Sequence, residues 1–235
     1  MRRFFVAFIL IVTTLSLSVI ALLASFFGRK GEYVHAVARI WALIYLRASG
    51  VRAVLTGSGN IPRPPYIFMC NHQSALDIYA LQATFPLSFR WVAKKELFLI
   101  PFFGWALKRA GNISLDREHP REALKAMEAA ARTIRGGTNI IMFPEGTRSI
   151  DGTLLPFKKG SFSIVYRAGV PVVPVGIRGT RELQPKGAFV AERKGTVYVH
   201  IGTPLSLEDQ KRTSKEKLIG DVKEGIERLL LCQEN

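Results

Sequence analysis

"PYIFMCNHQSALDIYALQATF", residues 65–85, decides how this chain is built. "PYIFMC" is a short apolar run of the kind that forms a buried strand. "SALDIYALQATF" reads as a helix that Pro86 stops. Between them lie Asn71, His72 and Gln73, polar residues at the end of an apolar strand. A strand that feeds a helix through a short polar loop is the repeating unit of α/β proteins. Loops of that kind, at strand ends, are where such folds build their sites.

The alternation continues on both sides. "VRAVLTG", "FRWVA", "NISL", "TNIIMF", "VPVVPVGI" and "TVYVHIG" read as strands. "PFFGWALKRAG" and "FKKGSFSIVYRAG" read as helices that end at a glycine. "PREALKAMEAAARTIRGG" is the clearest helix, with Pro120 at its start, alanine-rich turns and Gly136–Gly137 at its end. The last helix, from about Ser214 to Leu231, puts Leu218, Val222, Ile226, Leu229 and Leu230 on one face. The pattern predicts an α/β layer architecture with no internal repeat and no long linker.

His72 and Asp77 stand five positions apart. On a regular helix such residues are about 140° out of phase, so their side chains diverge. They converge if His72 lies in the loop and Asp77 on the first helical turn. Asp77 would then fix the imidazole tautomer while His72 takes a proton. Ser74 and Asp77 also fit a capping pattern, which alone would account for Asp77. His72 as a satisfied core histidine is the other reading, and the residues alone leave both open.

"IIMFPEGTRS", residues 140–149, repeats the layout of strand then polar turn. Gly146 allows close backbone approach. Arg148 could grip a phosphate with its planar fork, and Glu145 could hold a substrate hydroxyl; a plain salt bridge between them is the alternative. Lys158 and Lys159 follow at a predicted helix start, where positive charge opposes the dipole and a nearby anion would relieve it.

Residues 4–27 carry no charge over 24 positions. As a helix they span about 36 Å against a hydrocarbon core of about 30 Å. Arg2 and Arg3 precede the run, and Arg29 and Lys30 follow it. A cleavable signal is the competing reading, but the apolar run continues past "ALLAS" through Phe26 and Phe27, which favours a membrane anchor, either spanning or dipping into one leaflet. "YVHAVARIWALIYLRAS", residues 33–49, places Val34, Val37, Ala38, Trp41, Ile44 and Tyr45 at helical spacing. This predicts an amphipathic helix with an aromatic at the membrane interface, or a helix packed on the core.

The chain has 33 basic and 18 acidic residues, a net charge of +15, which favours anionic partners without choosing among them. Two cysteines, Cys70 and Cys232, form no disulfide framework, and four scattered histidines form no metal-like cluster.

Four blocks, taken in order, resemble the glycerolipid acyltransferases, most closely the 1-acyl-sn-glycerol-3-phosphate acyltransferases. "NHQSALD" is similar to their N-H-x-x-x-x-D motif. "GNISLDR" is similar to their second block, "FPEGTRS" to the third and "VPVVPVGI" to the fourth. The resemblance covers roughly half the chain. It implies an α/β acyltransferase domain with a mixed sheet over residues 51–235, joined to N-terminal membrane-anchoring helices over residues 1–50. It implies transfer of a fatty acyl group from acyl-CoA or acyl carrier protein to a lysophospholipid hydroxyl, with no cofactor and no metal. His72 would be the base and Asp77 its partner. Arg117, Glu145, Gly146, Thr147 and Arg148 would belong to the acceptor site, and Lys158 and Lys159 would be candidate contacts for a phosphate or the thioester carrier. Asn71 and Pro174 would be structural. The expected partners are membrane lipid, lysophosphatidic acid and the thioester, not nucleic acid. The catalytic domain is expected on the cytoplasmic side, where thioester donors are made. The rival readings are another acceptor, such as a different lysolipid or glycerol 3-phosphate, and a non-enzymatic, membrane-anchored protein that binds anions.

Overall fold

The computed structural model describes residues 1–27, 31–61, 65–116, 119–206 and 214–232. Arg29, Lys30 and Arg117, named above, lie outside these. Among the described residues, one sheet is built from β1 (Val51–Thr56), β2 (Ile67–Cys70), β3 (Phe89–Lys94), β4 (Ile113–Leu115), β5 (Asn139–Met142), β6 (Val172–Arg178) and β7 (Gly195–Ile201). The strands lie in the order β1-β7-β6-β2-β5-β3-β4. Neighbours run parallel except β6 and β7, so the sheet is mixed. The helices are α1 (Arg2–Ala24), α2 (Glu32–Ser49), α3 (Leu76–Thr84), α4 (Phe103–Arg109), α5 (Pro120–Arg135), α6 (Lys159–Ala168), α7 (Thr180–Leu183) and α8 (Lys215–Leu231).

Side-chain alternation along β2 divides the interior in two. Phe68 and Cys70 face a core shared with α2, α3 and the start of α1. Ile67 and Met69 face a second core formed with α5, α6 and α8. All four β2 residues are fully buried, as expected of a strand covered by helices on both faces. In α8, Leu218, Val222 and Ile226 form the buried stripe read from the sequence.

Among the described residues, α1 is the one helix long and apolar enough to cross a membrane. It lies along the protein. Val6 and Leu10 enter the first core. The Arg2 guanidinium donates to the Ser49 carbonyl at 2.9 Å and the Ala191 carbonyl at 3.3 Å, and Arg3 pairs with Glu192 at 2.9 Å. Further along, Ala21 packs with Val34, Ala106 and Ala110. The opposite side stays exposed, with Phe4, Phe8, Ile11, Leu15 and Leu23 in a row. Trp41 of α2 packs between α1 and α3. Its indole donates to Thr14 of α1 at 2.9 Å, and its ring lies 4.7 Å from Tyr79.

Candidate active site

Parallel pairing brings two separate blocks of sequence together. In the β2–β5 register Met69 faces Met142, so the residues after each strand run on side by side: Asn71 and His72 on one, Phe143 to Glu145 on the other. On the other flank β2 pairs with β6, Cys70 facing Val175. Asn71 continues that ladder with its side chain. Its amide donates to the Ile177 carbonyl at 2.9 Å and accepts from the Ile177 N–H at 2.7 Å. The loop is therefore fixed to the end of β6 before His72 is placed.

His72 lies in that loop and Asp77 on the first turn of α3, where a negative charge suits the helix dipole. The imidazole Nδ1 stands 2.7 Å from Asp77 Oδ2. The same oxygen accepts from the Gln73 N–H at 2.8 Å and the Ser74 N–H at 2.9 Å. Asp77 thus both ties down the loop before the helix and orients the histidine, while α3 itself starts at an Ala75 N-cap with no side-chain cap bond. An ionised acceptor at Nδ1 fixes the proton there and leaves the Nε2 lone pair to take a proton from a substrate. Asp77 is fully buried and His72 is half-buried, so the dyad is supported from below and open above. Phe143 stacks on the imidazole at 3.9 Å between ring centroids.

Glu145 has 1% of its surface exposed. Its Oε1 accepts the His72 N–H at 2.7 Å and its Oε2 the Leu155 N–H at 2.9 Å. Burial pushes its carboxyl above the ordinary value, and the Leu155 and His72 amides pull it back. Its observed role is to hold the His72 loop, and it forms no salt bridge with Arg148. Gly146 makes the turn at φ 74°. Thr147 is exposed and Arg148 half-buried. The turn is tied down by the Ser149 N–H donating to the His72 carbonyl at 2.8 Å and by the Lys186 ammonium donating to the Arg148 carbonyl at 2.7 Å. Lys158 is exposed just before α6, its N–H donating to the Pro144 carbonyl at 2.8 Å. Lys159 pairs with Glu216 of α8 at 3.4 Å. Arg117 lies outside the described residues.

Sequence reasoning missed Phe143, Gln73, Ser149 and Lys186. Gln73 stands in the first block and Phe143 and Ser149 in the third, which is the signal that could have found them; Lys186 stands in none.

A strand-end histidine–carboxylate pair beside a cationic turn is a site for deprotonating a hydroxyl near an anion. Residues 52–178 match the acyltransferase family. The chain belongs to the acyltransferase family. A chloroplastic 1-acyl-sn-glycerol-3-phosphate acyltransferase of Brassica napus is 36% identical over 201 residues, covering 85% of this chain and 57% of the relative. The 1-acyl-sn-glycerol-3-phosphate acyltransferase of Saccharomyces cerevisiae is 33% identical over 211 residues, covering 88% of this chain and 67% of the relative. The crystal structure of the 1-acyl-sn-glycerophosphate acyltransferase PlsC from Thermotoga maritima superposes with a TM-score of 0.83 at 32% identity, covering 100% of this chain and 97% of that one. The chain spans about half the length of the two chloroplastic relatives and the algal one it matches, 57%, 49% and 52%. The family's N-H-x-x-x-x-D block holds the dyad in this chain, and its third block supplies Glu145 beneath His72.

Proposed function

We propose that the protein transfers a fatty acyl group from acyl-CoA or acyl carrier protein to the sn-2 hydroxyl of 1-acyl-glycerol 3-phosphate, forming phosphatidic acid. The observation that carries this reading is the 2.7 Å contact of His72 Nδ1 with Asp77, which leaves Nε2 as the base at a strand end. The names of the relatives support the acceptor. His72 Nε2 takes the hydroxyl proton as the oxygen attacks the thioester carbonyl carbon. The tetrahedral intermediate collapses with cleavage of the carbon–sulfur bond, and His72 returns the proton to the departing thiolate. Asp77 stabilises the imidazolium between these steps. Arg148 holds the acceptor phosphate, beside Gly146 and Thr147 on the same turn, and Arg117 of the second block is assigned the same task by the resemblance. Lys158 and Lys159 add positive charge that attracts the acidic carrier.

The exposed side of α1 rests in one leaflet, with its other side on the protein, and holds the site at the bilayer surface. The catalytic domain faces the cytoplasm, where the thioesters are made. The test is turnover by purified protein in vesicles containing labelled lysophosphatidic acid, with each donor in turn, read by product mass. Phosphatidic acid from at least one donor is expected. No acyl transfer to lysophosphatidic acid, with transfer to another lysolipid or to glycerol 3-phosphate, overturns the acceptor assignment.

A further inference from the structure

Two arginines share an open cavity of about 550 Å3 that also touches the catalytic loop through Gln73. Arg178 ends β6, the strand beside β2, which leads into His72. Gly179 then turns the chain at φ 83°, where a Cβ would lie 2.6 Å from the Thr196 carbonyl oxygen. This close turn sets Arg178 and Arg181 of α7 around one cavity. The Gln73 side chain donates to the Gly152 carbonyl at 3.0 Å. Arg181 lies across Gly152, so closely that a Cβ there would meet its Nε at 3.1 Å. A continuous wall therefore runs from the residue after His72 to a guanidinium.

The cavity also contains two carboxylates, and both are already engaged. Asp151 Oδ1 accepts from Ser149 Oγ at 3.0 Å and from the Thr153 N–H and hydroxyl at 3.0 and 2.7 Å. Glu182 pairs with Arg181 at 3.1 Å, with both side chains exposed, and a pair of that kind exchanges readily for a better anion. Arg178 donates to the Cys232 carbonyl, which leaves further N–H groups of its fork to bond an anion. The Arg148 turn follows β5, on the other side of β2. The site thus has cations on both sides of His72, and the acceptor phosphate accounts for one of them.

We propose that Arg178 and Arg181 bind phosphate of the thioester donor. This rests on the acyl-transfer reading above. Acyl-CoA and acyl carrier protein both carry a phosphate at the far end of the pantetheine arm, and CoA carries further phosphates on its nucleotide. Two planar forks around an open cavity suit a phosphate oxygen cluster, and the open mouth admits either carrier.

The test compares wild type with the Arg178→Gln/Arg181→Gln double variant of the full chain in vesicles. Saturation curves are taken for acyl-CoA, acyl carrier protein thioester and acyl-pantetheine, which has no phosphate. The expected result is a donor KM raised roughly 10- to 100-fold for acyl-CoA, with the lysophosphatidic acid KM and the acyl-pantetheine curve unchanged. A matching rise for the carrier protein assigns the arm phosphate, and a rise for acyl-CoA alone assigns the nucleotide phosphates. An unchanged acyl-CoA curve, an equal loss with acyl-pantetheine, or a rise in the acceptor KM instead overturns the proposal. Arg181→Gln alone leaves the Arg178–Cys232 bond in place, so its KM shift is read without disturbing the end of α8. Calorimetric binding of CoA reads the site without turnover. Wild type that binds CoA in an Arg181-dependent way but transfers no acyl group would overturn the acyl-transfer reading and leave this site standing.

Discussion

Replacing Asp77 by Asn separates the two tasks of one carboxylate. Asp77 Oδ2 accepts from His72 Nδ1 and from the Gln73 and Ser74 amides, while Oδ1 is buried with no partner among the described residues. The asparagine oxygen can occupy the Oδ2 position and keep the backbone bonds. Its NH2 group then falls in the buried Oδ1 position, and an unsatisfied donor there costs about 1–3 kcal/mol. The variant should therefore fold, with stability lower by about that amount in urea unfolding. Asp77→Ala orphans two amides and leaves a cavity, so it should lose roughly twice as much. Turnover should respond differently. The imidazolium formed during proton transfer loses its ionised partner, and kcat should fall by about 10²–10⁴ per folded molecule. The assay pairs urea melts with initial rates normalised to folded protein. An Asp77→Asn protein that is destabilised yet turns over normally would show that Asp77 only ties down the loop before the helix, and the dyad argument would fail.

Glu145→Ala orphans the His72 and Leu155 amides, at about 1–3 kcal/mol each, and should lower kcat without raising the acceptor KM; a raised acceptor KM at full stability would make Glu145 a substrate contact instead. Arg148→Ala should cut acceptor kcat/KM roughly 10- to 150-fold and leave donor use unchanged, with partial rescue by lysine, whereas equal losses on phosphorylated and neutral acceptors would show a structural role. Burial, with Arg90 and Arg39 nearby, lowers the His35 pKa from 6.5 to about 4 despite Glu32. The folded protein then holds fewer protons than the unfolded chain, so stability present above pH 6.5 should be lost as pH falls toward 4; His35→Gln should flatten this dependence in thermal melts, and an unchanged slope would refute it.

The strand–loop–helix of residues 65–85 was legible because each part has its own period and Pro86 marks the end. Helix α3 starts at Leu76, not Ser74, because Ser74 Oγ accepts the Leu76 N–H and Asp77 reaches back to the Ser74 N–H, holding the loop off the helix. The His72–Asp77 contact could be anticipated from spacing, since only a loop histidine and a first-turn aspartate can meet. The role of Glu145 could not. It depends on the parallel β2–β5 pairing, a contact between residues 73 positions apart that no local pattern encodes. Helix α1 is apolar almost all round, so its sequence does not distinguish lipid from protein neighbours; the structure does so by burying Val6, Leu10, Ser18 and Ala21 and by bonding Thr14 to Trp41. Helix α7 spans four residues, too short to show any period, yet it is what sets Arg181 beside the cavity.

The most direct test of the account is single-turnover acyl transfer by His72→Gln, with folding checked by circular dichroism and by vesicle binding. Glutamine keeps a polar side chain of similar length against Phe143, so the variant should fold and bind vesicles as wild type does, while its rate falls by about 10²–10⁴ at saturating donor and acceptor. Wild-type transfer by the folded His72→Gln protein would contradict the assignment of His72 as the base.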